Sequence, residues 1–549
     1  MVYLLSGFFF LVFGVCFVFL VLMGLESVLI SFDFRSLGSS DFLDAVLYFD
    51  WMGCCFIFVL FFIVRRVLFF SYTYMKEEVN KIRFFSLVFL FVASMVILIL
   101  VPNLVFFFLG WDGLGFTRFL LVAWFGCFFS RSARLKTFLV KRFGDSLLLI
   151  GMVKFFYQGH FNLFVYSDKV IWFVGLVVVL ATFTKRAQFP FRSWLPAAMA
   201  APTPVSSLVH SSTLVTAGIY FLIRFKNLFS YNIFYMICIV GLFTMFFSRF
   251  CAIMEMDVKK VVAFSTLRQL GFMCFCVGVK YIKLCFFYLL VHACFKALMF
   301  ISVGVFMVYG GHNQDIRKLR KLWYFKPLVF LSLFIRVLSL RGVPLLSGFI
   351  FKDLILYSFK KGVENIFCSI LFIFSVVLTS IYSFRLVALS VFRDYSFGVF
   401  GGSYIVLILS FFPLYVCRIF LGFVFRRYFR LFFKSKVFLI FSVIILIFVG
   451  FIFGMFSYLF SFVKFIGLYT GVRYMFFCYY LKIRFKRIFC IGTNLFFILD
   501  KGLFSLGIIE RLRNIFSYNY NRLYSIFFSV GWLRLIFFSY LFLIAIYMG

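Results

Sequence analysis

The sequence is poor in charge, and the charge that it carries is strongly one-sided. Only 13% of its 549 residues are charged, and 18 Asp and Glu stand against 55 Lys and Arg, a formal net charge of +37. Water-soluble globular domains carry about 25% charged residues, so an ordinary soluble domain is excluded. The apolar share of 65% predicts instead a chain whose solvent is the lipid bilayer.

Cofactor and metal motifs are also missing. The 14 cysteines form no CxxC pair and no Cys/His spacing typical of a zinc or iron–sulfur site. The sequence contains no glycine-rich dinucleotide fingerprint and no phosphate loop. We therefore expect no redox cofactor and no metal in this chain, and we interpret the cysteines as small apolar residues in helices.

The basic excess does not indicate nucleic-acid binding. Membrane-length apolar runs separate the basic residues, so no continuous basic groove can form. Short clusters such as Lys141-Arg142 and Arg317–Lys321 are typical of loops on the positive-inside face of a membrane protein.

Apolar runs of membrane length recur along the chain. A helix needs about 20 residues to cross the hydrocarbon, and none of the runs shows the period-two alternation of a lipid-facing barrel strand. The sequence therefore predicts an all-α integral membrane protein with about 16 transmembrane helices. The expected spans are 2–30, 44–70, 84–109, 110–130, 136–156, 170–190, 202–224, 232–250, 258–279, 284–309, 328–342, 343–360, 366–392, 403–425, 437–462 and 532–548.

Two of the expected spans are interrupted by proline. Pro190 and Pro196 follow Lys185, and Pro344 precedes Lys352. Proline breaks a helix, and backbone groups freed at membrane depth are tolerated only where they are buried in protein or line a hydrated cavity. Paired broken helices in the two halves of a chain are typical of inverted-repeat transporters.

This pattern predicts six regions along the chain. Residues 463–531 mix aromatic and basic residues, which predicts an amphipathic helix lying along the membrane surface, with a loop of short helices as an equal alternative. The predicted regions are N-terminal transmembrane helices (1–100), two antiporter-like inverted half-repeats with broken helices (101–225 and 226–360), further transmembrane helices (361–462), the lateral amphipathic helix (463–531) and a final transmembrane helix (532–549).

Ionisable residues inside the apolar spans are the candidate functional residues. Each costs about 2.5–3.5 kcal/mol or more at the bilayer centre, so such residues are kept chiefly where they face the bundle interior and have a function. Tyr288, His292 and Lys296 recur every four residues and share one helical face, which indicates a proton-conducting line. The candidates are Asp112, Lys185, His210, His292, Lys296 and Lys352, supported by Arg142, Asp145, Tyr288 and Asp353.

Each candidate taken alone has a structural alternative. Lys185 or Lys352 can be an end residue that snorkels to the interface, and Asp112 or His210 can be a buried hydrogen-bonding group. Arg142 and Asp145, three residues apart, form a local ion pair in the simplest interpretation. The recurrence of such residues in successive spans favours a proton pathway over a wholly structural explanation.

Several long motifs carry a family resemblance over residues 45–395. On these motifs the chain resembles the antiporter-like subunit 5 family of respiratory NADH:ubiquinone oxidoreductase (complex I), which is related to the large subunits of Mrp-type sodium/proton antiporters. The motifs are Phe49–Met52, Leu109–Gly115, Phe138–Asp145, Lys185–Tyr220, Asp257–Gly271, His292–Lys296, Pro344–Asp353 and Ser380–Arg385.

The resemblance implies a proton-translocating subunit without redox chemistry of its own. Quinone reduction elsewhere in the complex would drive proton movement, and FMN, iron–sulfur clusters and ubiquinone are expected in other subunits. The implied partners are other membrane-arm subunits, especially the adjacent antiporter-like subunit 4, and membrane lipids; the implied location is the mitochondrial inner membrane. The family's proton carriers fall on the six candidates, with Asp112 in place of the usual Glu.

Two other functions stay open at this point. A Mrp-type sodium/proton antiporter subunit fits the local motifs equally well, although the long tail after residue 463 favours complex I. A structural membrane-arm subunit with an inactive channel is favoured by two departures from the family: Asp112 replaces the usual Glu, and Tyr288 stands where many members have histidine. Lys185 and Lys352 in both broken spans argue against inactivity.

Six arginines depart from the family pattern, which mostly has Ser, Gly or Ala at their positions. Unpaired arginines in lipid are costly. We therefore hypothesise that some of them are serine or glycine in the protein, because an organelle reads AGA or AGG codons differently. The six are Arg65, Arg66, Arg118, Arg268, Arg336 and Arg341.

Overall fold

The computed structural model describes residues 28–32, 45–157, 163, 172–311, 313–316, 327–341 and 366–391. All of them belong to the first of two structural units, Met1–Leu459. Lys352, Asp353, the predicted lateral helix over 463–531 and the predicted spans 343–360, 403–425, 437–462 and 532–548 lie outside the described residues, as does most of 2–30.

Helices make up almost all of the described part. Two strands precede them, β1 (Val28–Phe32) and β2 (Ala45–Phe49). The helices are α1 (Trp51–Tyr74), α2 (Lys81–Leu100), α3 (Leu104–Val122), α4 (Phe128–Tyr157), α5 (Trp172–Arg186), α6 (Trp194–Ala197), α7 (Thr203–Val205), α8 (Leu214–Arg224), α9 (Tyr231–Met254), α10 (Val258–Gly278), α11 (Ile282–Tyr309), α12 (Pro327–Arg341) and α13 (Ile366–Val391).

Eight helical stretches of the described residues are long and apolar enough to cross a membrane. This confirms the predicted multi-pass α-helical membrane protein. The total of about 16 spans extends beyond the described residues and stays a prediction. The eight stretches are Trp51–Tyr74, Lys81–Leu100, Leu104–Val122, Trp172–Ala200, Thr203–Arg224, Tyr231–Ile253, Val258–Gly278 and Ile282–Tyr309.

A two-stranded antiparallel sheet precedes the first described helix. Val28 pairs with Phe49 and Phe32 with Ala45, so the chain is extended where the sequence predicted helix at the end of 2–30 and the start of 44–70. The second of these spans begins instead at Trp51, because the Asp50 carboxylate caps the helix by accepting from the Gly53 amide at 3.0 Å.

The boundary between α2 and α3 also differs from the prediction, which placed the break between 109 and 110. Val101 is extended (φ −94°, ψ 120°), as expected for a residue that precedes a proline. Asn103 then starts α3, since its side chain accepts from the Val105 amide at 3.1 Å. The shift places Trp111 and Asp112 in the interior of α3 rather than at a helix end.

The predicted interruption after Lys185 is confirmed. Helix α5 ends at Arg186, and short helical turns occupy Phe191–Ser193, Trp194–Ala197 and Ala198–Ala200. The next span contains a second irregularity, a π-helical segment over Ser206–Thr213. Such segments occur frequently at functional sites.

Glycines bring α9 and α10 into close contact. A Cβ on Gly241 would lie 2.8 Å from the Gly271 carbonyl oxygen, and one on Gly278 would lie 2.6 Å from the Cys238 Cβ. Small residues allow membrane helices to approach closely and pack by van der Waals contact. This crossing fixes α10, whose other neighbour in sequence, α11, carries the Tyr288–His292–Lys296 line.

A buried ion pair connects the start of α1 to the end of α8. Arg224 Nη2 lies 3.3 Å from Asp50 Oδ1, and Arg224 Nη1 donates to the Ile99 carbonyl oxygen at 2.6 Å. The Tyr220 hydroxyl contacts the same guanidinium. The sequence motif around Asp50 gave no indication of this partner, which lies far along the chain.

Candidate functional site

Lys185 is the centre of a buried polar cluster. It lies in the last turn of α5 and is 1% exposed. Its Nζ donates to the Trp111 carbonyl oxygen at 2.8 Å and lies 3.7 Å from Asp145 Oδ1. An ammonium held this way is inside the bundle, so the snorkelling alternative does not describe Lys185.

Asp145 is the carboxylate that contacts Lys185. It is 4% exposed, and its Oδ1 accepts from the Trp111 indole N–H at 2.8 Å. Trp111 therefore contacts both members of the pair, the lysine through its carbonyl oxygen and the carboxylate through its indole. Sequence reasoning gave Asp145 only a supporting role beside Arg142.

Asp112 lies at the outer edge of the same cluster. Its Oδ1 is 3.1 Å from Arg142 Nη1, and the side chains are 35% and 44% exposed, respectively. Arg142 also lies 3.8 Å from Asp145 Oδ2, so the expected Arg142–Asp145 pair is present. The four charges alternate in sign from Asp112 through Arg142 and Asp145 to Lys185; we call these four residues the first cluster.

Two glycines lie at the first cluster, and the close approach of its helices requires one of them, Gly144. A Cβ on Gly144 would lie 1.9 Å from Thr184 Oγ1, so only glycine lets α4 approach α5 closely enough for Asp145 to contact Lys185. On α3, a Cβ on Gly115 would lie 3.6 Å from Asp112 Oδ1 and 3.9 Å from Lys185 Nζ. Gly115 therefore lies between the predicted carboxylate and the predicted lysine.

The first cluster has the groups that proton transfer requires. A buried carboxylate and a buried amine 3.7 Å apart come within direct transfer distance, about 2.6–3.2 Å, after a small side-chain movement. The alternation of charge keeps each group paired, which offsets the cost of burying it. A proton added to or removed from one member changes the pairing of the next.

A second cluster lies between α10 and α11. Lys296 Nζ donates to Ser265 Oγ at 2.6 Å, and the Tyr288 hydroxyl donates to Gln269 Oε1. Tyr288, His292 and Lys296 are 4%, 1% and 0% exposed. We call these five residues the second cluster; along α11 it extends over nine residues, from Tyr288 to Lys296, a rise of about 12 Å.

His292 occupies the middle of this line. Neither ring nitrogen makes a hydrogen bond with any of the described residues, although the ring lies 6.5 Å from that of Tyr288, centroid to centroid. Lys296 is one helical turn away on the same face. The predicted Tyr288–His292–Lys296 line is therefore present in the protein interior, and α10 supplies the partners that sequence reasoning missed.

His210 lies in the π-helical segment, which packs against α11. The Ser206 and Ser207 hydroxyls donate to backbone carbonyl oxygens three residues earlier, and Thr213 donates to Leu208 O, each at 2.8 Å. The structure thus brings the His210 backbone next to the helix of the second cluster. Lys352 and Asp353 are outside the described residues.

In two buried arginines, neither terminal guanidinium nitrogen makes a hydrogen bond with any of the described residues. Arg118 is 1% and Arg268 2% exposed. All three Arg118 nitrogens, and both terminal nitrogens of Arg268, lack a hydrogen-bond acceptor among the described residues. Arg118 stacks on the Trp194 ring at 3.9 Å from its centroid, and Arg268 lies 5.9 Å from that of Tyr382. Arg336, in contrast, donates to Ser302 Oγ at 2.5 Å.

Comparison with known proteins places this geometry in a family. The profile of the NADH:quinone oxidoreductase/Mrp antiporter transmembrane family matches residues 101–379, just over half of the chain. NADH-ubiquinone oxidoreductase chain 5 of Anopheles gambiae is 44% identical over 354 residues, 63% of this chain and 61% of that protein. The chain 5 of Aedes aegypti is 45% identical over 355 residues, with the same shares. The matched region thus spans 61% of the length of these curated relatives.

A solved structure has the same fold. A chain of the Mrp complex from Dietzia sp. DQ12-45-1b aligns with a TM-score of 0.76 over 95% of this chain and 60% of that chain. At 21% identity this likeness concerns the fold alone. Since the family profile covers both the first cluster and the second cluster, the chain belongs to the NADH:quinone oxidoreductase/Mrp antiporter transmembrane family.

Proposed function

We propose that this chain is a proton-translocating membrane-arm subunit of NADH:ubiquinone oxidoreductase (complex I). The observation that carries the proposal is the first cluster: a buried lysine and a buried carboxylate 3.7 Å apart, continued by Arg142 to the half-exposed Asp112. The names of curated relatives at 44–45% identity support complex I as the assembly in which this cluster works.

Protons move in this proposal among Asp112, Lys185, His210, His292, Lys296 and Lys352. Arg142, Asp145, Tyr288 and Asp353 support them. Ion pairing explains how movement couples to an outside event: a change of charge near Asp112 weakens its hold on Arg142, Arg142 then pairs more strongly with Asp145, and Asp145 pairs less strongly with Lys185. Lys185 releases its proton more readily when its carboxylate partner is withdrawn.

The chain itself holds no redox cofactor in this proposal. NADH oxidation and quinone reduction take place in other subunits, which carry FMN, iron–sulfur clusters and ubiquinone. This subunit then belongs to an H+-translocating enzyme without performing the electron transfer. Its partners are other membrane-arm subunits, with antiporter-like subunit 4 adjacent, and the lipids of the mitochondrial inner membrane.

A native gel of gently solubilised source membranes tests the assembly. The gel is stained for NADH oxidation, and each band is searched for peptides of this chain by mass spectrometry. Migration in a very large NADH-oxidising band supports the proposal. Migration in a smaller assembly without that activity contradicts it and favours a Mrp-type sodium/proton antiporter, the fold of which this chain also shares.

A further inference from the structure

A second buried lysine lies beside the first cluster. Lys141 is on α4, four residues before Asp145, and is 3% exposed. Its Nζ makes no hydrogen bond with any of the described residues and lies 5.2 Å from the centroid of the Trp194 ring. A buried ammonium without an acceptor costs several kcal/mol, so this amine needs either a partner or the loss of its proton.

Three charged groups of the described residues interact electrostatically with Lys141. Arg118 comes from α3, Lys185 from α5 and Asp145 from the same helix as Lys141. Even with Arg118 left aside, two buried amines share one buried carboxylate. Two ammonium ions repel each other strongly at low dielectric. The favoured state therefore has one of the two lysines protonated and the other neutral.

Asp145 is positioned to reach both lysines. Residues four apart on a helix have Cβ atoms about 5–6 Å from each other, so rotation of the Lys141 side chain brings its amine to the Asp145 carboxylate. The same carboxylate lies 3.7 Å from Lys185 Nζ. A proton can therefore pass between the two amines through one intermediate group.

Trp194 connects the two lysines structurally. Its ring faces Lys141, and its indole N–H donates to the Thr184 carbonyl oxygen at 2.8 Å. Thr184 is the residue before Lys185. The ring that contacts the Lys141 amine is thus hydrogen-bonded to the helix end that carries Lys185.

We propose that Lys141 is a second proton-carrying amine of this site, exchanging one proton with Lys185 through Asp145. An N–H bond of one ammonium breaks as an O–H bond forms on the carboxylate. That O–H bond then breaks as an N–H bond forms on the other amine, and the net charge of the three groups does not change. This step rests on the proposed function, because it needs protons to cross the site.

The test uses the whole complex carrying this chain, reconstituted in sealed vesicles. The measured quantity is the number of protons moved per NADH oxidised, for the unmodified complex and for Lys141→Gln, Lys141→Arg and Lys136→Gln. Glutamine cannot carry the proton, and a guanidinium does not release one. We expect both Lys141 variants to assemble, oxidise NADH and move fewer protons per NADH, whereas the control at half-buried Lys136 on the same helix keeps the full ratio.

Three results would overturn the proposal. A full ratio in Lys141→Gln removes any need for this amine. A full ratio in Lys141→Arg beside a reduced one in Lys141→Gln shows that a fixed positive charge is sufficient. If the Arg variant does not assemble, Lys141→His replaces it. A ratio of protons per NADH in Lys141→His above that in Lys141→Gln supports proton exchange through residue 141. An equal ratio in these two variants overturns the proposal. Failure of the unmodified complex to move protons contradicts the proposed function itself.

Discussion

Lys185 and Asp145 lie 40 positions apart in the sequence and on different helices, yet the lysine Nζ lies 3.7 Å from the carboxylate. Trp111 contacts both of them, at 2.8 Å in each case. Each partner is therefore held by the other and by one shared residue. Loss of the Asp145 charge leaves the Lys185 ammonium buried without its carboxylate, whereas loss of Lys185 leaves Asp145 with Arg142 alone, at 3.8 Å.

Asp145→Asn is expected to lower the stability of the assembled chain and to abolish its share of proton movement. Breaking a buried ion pair by removal of one partner costs about 3–5 kcal/mol, because the remaining charge stays buried. The amount of chain in the NADH-oxidising band of a native gel reports assembly. Proton movement per NADH in vesicles reports function.

The double variant Asp145→Asn/Lys185→Met separates the two effects. It removes both charges, and replacement of a whole buried pair is often neutral for stability. We expect assembly to recover towards that of the unmodified chain while proton movement stays lost. Recovery of proton movement in the double variant would show that the pair has a structural role alone.

Gly144→Ala tests whether the close approach of α4 to α5 is required. The added Cβ would meet Thr184 Oγ1 at 1.9 Å and the Thr184 Cβ at 2.9 Å, so the helices must separate. Overpacking of this kind costs about 1–3 kcal/mol. Because the separation moves Asp145 away from Lys185, we expect proton movement per NADH to fall more than the quantity of assembled complex.

Gly151→Ala is the matched control on the same two helices. The Cβ added at position 151 would meet only the end of a side chain, Val178 Cγ2, at 3.3 Å. A small shift of that side chain accommodates it. We expect close to normal assembly and proton movement. Equal effects of the two substitutions would mean that the Gly144 contact has no special importance for the ion pair.

Sequence periodicity was sufficient to predict the parts of the site that lie on one helix. Tyr288, His292 and Lys296 recur every fourth residue, and they share a buried face in the structure. Proline likewise marked the interruption after Lys185, because a missing backbone donor has a local effect. These features depend on neighbouring residues alone.

Features that depend on contacts between distant segments were not predictable in the same way. The spacing of Arg142 and Asp145 indicated a local pair, whereas the contact of Asp145 with Lys185 follows from the space that Gly144 leaves. The β1–β2 pairing is also non-local. Ser265 and Gln269 belong to a family motif, but the sequence assigned them no role, since their partners lie on another helix.

Ser265→Ala is expected to weaken the second cluster. The substitution removes the oxygen that accepts from Lys296 at 2.6 Å and leaves a fully buried amine without that partner. Hydrogen bonds to charged groups contribute about 1.5–3 kcal/mol. We expect reduced proton movement per NADH, measured in vesicles, with NADH oxidation retained.

The control for this change is Ser248→Ala on α9. Ser248 is also fully buried, and its hydroxyl donates to a backbone oxygen of its own helix, that of Met245 at 3.0 Å. We expect almost no change in proton movement. A similar loss in both variants would point to helix packing rather than to the Lys296 contact.

Peptide mass spectrometry of the purified chain tests the identity of residues 118 and 268. Arg118 and Arg268 are buried with guanidinium nitrogens that have no acceptor among the described residues, a condition that costs several kcal/mol for each ion. We expect the peptides that cover positions 118 and 268 to carry serine or glycine, and trypsin not to cleave after either position.

Arg224 is the internal control. It is also buried, but it pairs with Asp50 at 3.3 Å and donates to Ile99 O at 2.6 Å. Arginine is therefore expected at position 224, with tryptic cleavage after it. Arginine at all three positions would contradict the hypothesis and would require acceptors for residues 118 and 268 from other subunits or from segments outside the described residues.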